Sequence, residues 1–169
     1  MLTRTATLTM ALFALAVPAA EAKLPAKGGK LIVPGKSIGG VKLGMDAAAA
    51  VKKWGTGGTC DAAVSTSCRW DGTMKQGSLR FDVTNGKVST IVITAGQKPA
   101  TYEPVYKGPI TKWKTAKKVG IGTALRTVAK KYPKAFPDGG GLQLRSGKIA
   151  TYFSSSFGAA ESITIAPAP

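Results

Sequence analysis

An α+β fold is predicted, made of two tandem helix-plus-antiparallel-sheet repeats with short helices packed on one side of the sheet. Three observations carry that expectation. A motif recurs 78 residues apart, an amphipathic helical spacing lies inside each copy, and a strong hairpin signal follows the first.

The motif occupies Gly35 to Trp54 (GKSIGGVKLGMDAAAAVKKW) and Trp113 to Tyr132 (WKTAKKVGIGTALRTVAKKY). Lys36, Val41, Gly44, Lys52 and Lys53 match Lys114, Val119, Gly122, Lys130 and Lys131 identically. Ser37/Thr115, Leu43/Ile121 and Trp54/Tyr132 are chemically similar. Inside the first copy, Ala47, Ala50, Val51 and Trp54 fall at i, i+3, i+4 and i+7, one face of an α-helix. Leu125, Val128, Ala129 and Tyr132 repeat that face. Asp46 and Thr123 are the expected N-caps, and Gly55 and Pro133 the stops. Helices of about ten residues are marginal alone, so each needs a surface to lie on.

That surface is read from Ser78 to Thr84 (SLRFDVT) and Lys87 to Thr94 (KVSTIVIT), joined by Asn85-Gly86. Asn-Gly between β-rich runs predicts a type I′ hairpin. Leu79, Phe81 and Val83 alternate with Arg80 and Asp82, giving one apolar face. Thr151 and Phe153 correspond to Leu79 and Phe81, and Ile163 and Ile165 to Ile91 and Ile93, now at an offset of 72. A further strand is expected at Arg69 to Asp71 and at Leu142 to Leu144. The change of offset places a six-residue loss between helix and hairpin, where the first copy carries Cys60 and Cys68 and the second has PDGGG. The resulting division is 1–22 signal peptide, 23–34 N-terminal segment, 35–95 repeat 1, 96–112 connector, 113–166 repeat 2 and 167–169 tail. The connector contains three prolines and should be ordered, whereas the end from Ala166 should fray.

Composition narrows the functional classes. The 169 residues carry 24 Lys+Arg against 8 Asp+Glu, a formal charge of +16, with no His and two Cys. Without histidine there is no His-dependent triad, imidazole base or His-ligated zinc. Two cysteines cannot make a four-cysteine metal site. At 44 % hydrophobic, and a mean hydropathy of +0.05, the chain suits a packed domain.

Met1 to Ala22 has Arg4 before an apolar stretch, Ala6 to Val17, then Pro18 and Ala20-Glu21-Ala22. This three-part pattern predicts a signal peptide cleaved before Lys23, and twelve apolar residues are too few for the roughly 20 that span a bilayer. Removing the segment deletes one Arg and one Glu, so the charge stays +16. No transmembrane segment is expected after cleavage, and the protein should be extracytoplasmic, in the periplasm or outside the cell. In an oxidising compartment Cys60 and Cys68 should form a local disulfide. A loop this short contributes somewhat under about 3 kcal/mol in the loop-entropy picture.

The run V-x-L-G-M, short helix, W-G, aromatic strand, L-x-F-x-V and G-K-V-x-x-I resembles the repeat of the β-lactamase inhibitor proteins. It is similar also to the small lipoproteins of outer-membrane β-barrel assembly (the SmpA/OmlA type), and to secreted bacterial proteins built from two such units. The likeness covers Gly35 to Thr94 and, more faintly, Trp113 to Ile165. It implies helices covering one side of an antiparallel sheet, and a role in binding proteins. The chain departs from the lipoproteins in lacking a lipobox cysteine, and from the inhibitors in its high Lys content and single local Cys pair.

No catalytic grouping emerges from the residues. Asp46, Asp61, Asp71, Asp82, Glu103, Asp138 and Glu161 form no acid/base motif. Ser154 to Ser156 lack a G-x-S-x-G elbow, and S-x-x-K spacing is absent downstream of the leader. The glycine-rich stretches match neither phosphate-binding pattern. The chain is therefore read as non-enzymatic, with no cofactor or metal. Lys outnumbers Arg 19 to 5, and Lys112, Lys114, Lys117 and Lys118 surround Trp113. These five, with Arg69, Trp70 and Arg80, are the candidate binding residues. A positive field favours anionic partners, but no recognition-helix or RNP-type signature marks a specific nucleic-acid binder. The expected function is a secreted protein-binding module, inhibitor-like or envelope-associated. The alternative is an electrostatic binder of anionic cell-envelope polymer or lipid headgroups.

Overall fold

The computed structural model describes residues 23–25, 29–55, 57–60 and 66–169. The expected signal peptide at 1–22 and residues 61–65 of the cysteine loop lie outside the described residues.

Three short strands come first, β1 (Leu31–Val33), β2 (Ser37–Ile38) and β3 (Val41–Lys42). Helix α1 (Ala47–Trp54) leads to β4 (Ser67–Asp71), β5 (Ser78–Thr84) and β6 (Lys87–Thr94). The connector holds β7 (Gly96–Gln97), β8 (Pro104–Val105) and a 3-10 turn at Pro109–Lys112. Then come β9 (Lys114–Thr115), helix α2 (Leu125–Lys131), β10 (Phe136–Asp138), β11 (Gly141–Ser146), β12 (Ile149–Ser154) and β13 (Ser162–Pro167).

The expected α+β fold of two tandem helix-plus-sheet repeats is overturned. Strands take 43 % of the described residues and helices 14 %, so the molecule is mainly β. Its main feature is a single seven-stranded antiparallel sheet in the order β10-β11-β12-β13-β6-β5-β4. Two physical facts explain the difference. The helices have only eight and seven residues, too short to form a layer. The last strand of each half pairs with the other, Ile93 with Ile163 and Ile91 with Ile165, so the strands belong to one sheet. A second sheet, β3-β2-β1-β9, also crosses the expected boundary, because β1 runs parallel to β9 with Leu31 opposite Lys114.

Local chemistry explains the elements that do match their sequence signals. The β5–β6 hairpin turns at Asn85 (φ 50°) and Gly86 (φ 74°), the two positive angles a type I′ turn demands. Asp46 precedes α1, but its side chain makes no cap bond and pairs instead with Lys87, its Oδ1 2.7 Å from Nζ. The residue before α2 is Ala124 rather than Thr123, whose hydroxyl accepts a bond from the Gly120 amide. The C-terminus does not fray as expected: β13 pairs with β12 as far as Pro167, and the Ala168 amide donates to Lys148. Cys60 and Cys68 form a disulfide with Cα atoms 4.4 Å apart.

Period-two alternation places the core. Trp70, Leu79, Ile93, Ile163, Phe153 and Leu142 stand in one line across six strands. Phe81, Ile91, Ile165, Thr151 and Leu144 form the next line. Thr151 is fully buried there, and its hydroxyl accepts the Gly35 amide at 2.7 Å, so this buried hydroxyl has a partner. Over these lines sit Trp54 of α1, Val128 of α2, and Ile32, Ile38 and Val41 of the small sheet, all buried.

Trp54 is the centre of that packing. Its ring meets Trp70 edge-on at 5.1 Å and Phe81 at 5.6 Å, and its indole N–H donates to the Ile38 carbonyl. Gly39 (φ 56°) lets Trp54 and Trp113 approach; a Cβ there would lie 2.7 Å from the Trp113 ring and 2.8 Å from the Trp54 nitrogen. Trp54→Ala should cost about 3–5 kcal/mol, the range for large aromatic truncations in a core, read as a fall in urea midpoint. A loss below about 1 kcal/mol would show that the ring is replaceable.

Candidate functional site

Alternation along β4 and β5 decides where the sequence candidates go. Trp70 faces the core and is 1 % exposed, so Arg69 and Asp71 face the other way. Leu79 and Phe81 are likewise buried, sending Arg80 to the face that carries Arg69. Arg69 stands directly opposite Arg80. Like charges in register repel, and each is offset by a carboxylate two residues further along its strand. Arg69 Nε lies 2.5 Å from Asp71 Oδ1, and Arg80 Nε 3.2 Å from Asp82 Oδ1. The arginine side chains remain 56 % and 45 % exposed, so the guanidinium groups keep free donors toward solvent.

The line continues across the sheet as Val92, Thr164, Tyr152 and Gln143. Tyr152 OH accepts the Gln143 amide at 2.9 Å, while Arg145 donates to Gln143 Oε1 and covers the Phe136 ring. Beside it runs a second line of hydroxyls, Ser78, Thr94, Ser162 and Ser154. A depression of about 130 Å³ opens between the two arginines, lined by Ser78, Val92 and Thr94. It continues into one of about 330 Å³ that reaches Met74 and Gln97. This open face is charge-balanced on its β4–β5 side and carries Arg and Tyr, residue types that dominate binding energy at protein interfaces.

The basic-aromatic group does not hold together as a site. Trp113 is 1 % exposed and packs beside Gly39, whereas Lys112, Lys114, Lys117 and Lys118 are exposed. Trp113 and Trp70 are therefore core residues rather than binding residues. Of these lysines, Lys117 lies against the end of α2, whereas Lys114 stands on β9 opposite Leu31. Lys117 Nζ donates to the Lys131 carbonyl at 2.7 Å, and Lys131 Nζ returns a bond to the Lys117 carbonyl at 2.6 Å. Lys117 also lies over the Tyr132 ring at 4.8 Å. Tyr152, Gln143 and Tyr132 were not legible as site residues, because only strand register and the packing of α2 bring them into place.

No family model matches the chain, and no curated protein does. One solved structure resembles it, an extracellular protein containing an SCP domain from Bacillus anthracis strain Ames, at 14 % identity and a TM-score of 0.43. The match covers 74 % of this chain and 44 % of that one, so this chain spans less than half of its length. No property of that protein is transferred at this level of similarity.

Two carboxylates titrate away from their ordinary values. The hydrogen bond and charge of Lys87 hold Asp46 below 3.8, and those of Lys98 hold Glu103 below 4.5. Desolvation, reinforced by the Glu161 charge, raises the Tyr106 phenol. A lowered carboxylate stabilises the fold above its unfolded pKa and loses that contribution as pH falls through its folded pKa. Thermal midpoints should therefore fall as pH drops past 4.5 and then 3.8, and Asp46→Asn should flatten the lower part of that decline. An unchanged profile in Asp46→Asn would show that the Lys87 pair is thermodynamically silent.

Proposed function

We propose that this chain is a secreted, non-enzymatic module that binds a protein partner through the open face of its seven-stranded sheet. The observation that carries the reading is the line Arg69, Arg80, Val92, Thr164 and Tyr152, which crosses five strands opposite the core. An interface of this kind combines amphipathic anchors with satisfied polar neighbours. Balanced charge matters here. Asp71 and Asp82 neutralise the arginine pair, so a polyanion gains little on this face, whereas a partner with mixed charge gains hydrogen bonds to both signs.

Export is supported by the leader-like sequence at 1–22 and by the Cys60–Cys68 disulfide. No helix among the described residues is long and apolar enough to cross a membrane. The resemblance of the Gly35–Thr94 motif to protein-binding repeats points the same way.

A photo-crosslinker at Thr164 should capture one partner from envelope or medium fractions of the producing cells, while one at Ala48 on α1 should not. With that partner purified, Arg69→Ala/Arg80→Ala, at two exposed side chains, should weaken binding at least about tenfold, roughly 1.4 kcal/mol, without lowering the melting temperature. Binding should persist at about 0.3 M salt, where exposed charge pairs are screened. No saturable partner, or one lost with salt and indifferent to the double substitution, would overturn the reading in favour of electrostatic binding to anionic envelope material.

A further inference from the structure

A second surface, on the helix side of the sheet, has a different chemistry. Between Glu103 and Asp138 the chain carries eight lysines and one arginine and no acidic residue. All four ion pairs among the described residues lie elsewhere, at Arg69–Asp71, Arg80–Asp82, Lys87–Asp46 and Lys98–Glu103. The positive charge of this segment is therefore unopposed within it. The reciprocal bonds between Lys117 and Lys131 anchor each ammonium group at the other residue's main-chain carbonyl. Each ammonium has three donors and spends one on the other residue's carbonyl, leaving donors for an anion.

Next to this pair a groove of about 290 Å³ opens between the end of α2 and β11. Tyr132, Pro133 and Leu144 make its apolar lining, with Lys117 and Lys134 at its sides. Pro133 offers no amide N–H, and the Tyr132 ring stacks on the core residue Phe153, so the lining is apolar and the ring is held in place. An apolar recess beside unopposed lysines accepts a protruding apolar side chain that brings its own carboxylates.

We infer that this groove is a docking site for an acidic peptide segment of a partner protein. An aromatic or leucine side chain enters between Tyr132 and Leu144, and flanking carboxylates meet Lys117, Lys131 and Lys134. Charge complementarity and recessed shape together select this occupant. A bilayer surface would find the lysines, but Phe136, the exposed large apolar side chain that this segment carries among the described residues, stands beside Gln143 under Arg145 on the open face of the sheet, away from the groove. Beside the groove itself the apolar surface is a recess instead of a protrusion. This surface is separate from the open sheet face, so either can fail without the other.

The test is fluorescence anisotropy at about 0.15 M salt with a labelled pentapeptide carrying four glutamates around a central phenylalanine. Companion probes replace the glutamates by glutamine, or the phenylalanine by alanine, and vesicles of phosphatidylglycerol in phosphatidylcholine form a separate arm. The acidic phenylalanine peptide should bind saturably and at least about tenfold more tightly than either companion. Lys117→Met and Lys134→Gln should each weaken it at least about threefold at unchanged melting temperature. Lys134→Gln carries the test should Lys117→Met disturb the fold, because Lys134 has no ion-pair partner among the described residues. Equal binding of the alanine peptide would reduce the site to bulk charge. Binding to vesicles alone would assign the surface to lipid, and indifference to both substitutions would remove the groove from consideration; each result overturns the inference.

Discussion

Four residue pairs join β6 to β13, from Thr94 opposite Ser162 to Ile91 opposite Ile165. The rest of the molecule depends on this seam. Without it, each half would end on a strand with unpaired amides and carbonyls, a liability for aggregation. With it, Ile91, Ile93, Ile163 and Ile165 form an apolar block at the middle of the sheet, all fully buried. The seam also fixes the phase of alternation across seven strands. A slip of one residue would send every core side chain of one half to the opposite face.

Because the phase is fixed, each strand separates its chemistry by face. Trp54, Trp70 and Phe81 cluster on one side, and the Arg69–Arg80 line lies on the other. The charges divide in a related way. Three of the four described arginines, Arg69, Arg80 and Arg145, stand on the open face, two of them paired with aspartates. The lysines lie mostly off this sheet, in the turns, the helices and the small sheet. A planar guanidinium with several fixed donors suits directional contacts, whereas a hydrated ammonium acts as a point charge. The two surfaces therefore differ in how they can recognise a partner, as well as in sign.

What the sequence revealed depended on how local the determining interaction was. The β5–β6 hairpin was legible to the residue, since Asn85-Gly86 and the alternation around it are contained in one stretch. The two short helices and the disulfide were legible for the same reason. The joining of both halves in one sheet was not, because nothing in either half states which edge its last strand will meet. The small sheet escaped notice as well: two- and three-residue strands show no period, and the β1–β9 pairing joins residues about half the chain apart. Arg69 and Arg80 were singled out as separate residues, and only strand register sets them opposite each other.

Trp113 shows how a surface reading can mislead at short range. Its lysine neighbours gave it the look of a basic-aromatic binding group, yet flanking charge is also what a buried residue acquires when the chain surfaces on either side of it. Lys112 and Lys114 are exposed while Trp113 is 1 % exposed and Thr115 is buried. The same alternation operates on β11, where Leu144 lines the lysine-flanked groove and Gln143 and Arg145 face the open side. One strand thus supports both candidate surfaces while its side chains keep them apart. A substitution that enters the groove at Leu144 need not touch the hydrogen bonds among Tyr152, Gln143 and Arg145. The physical independence of the two surfaces follows from the pleat itself.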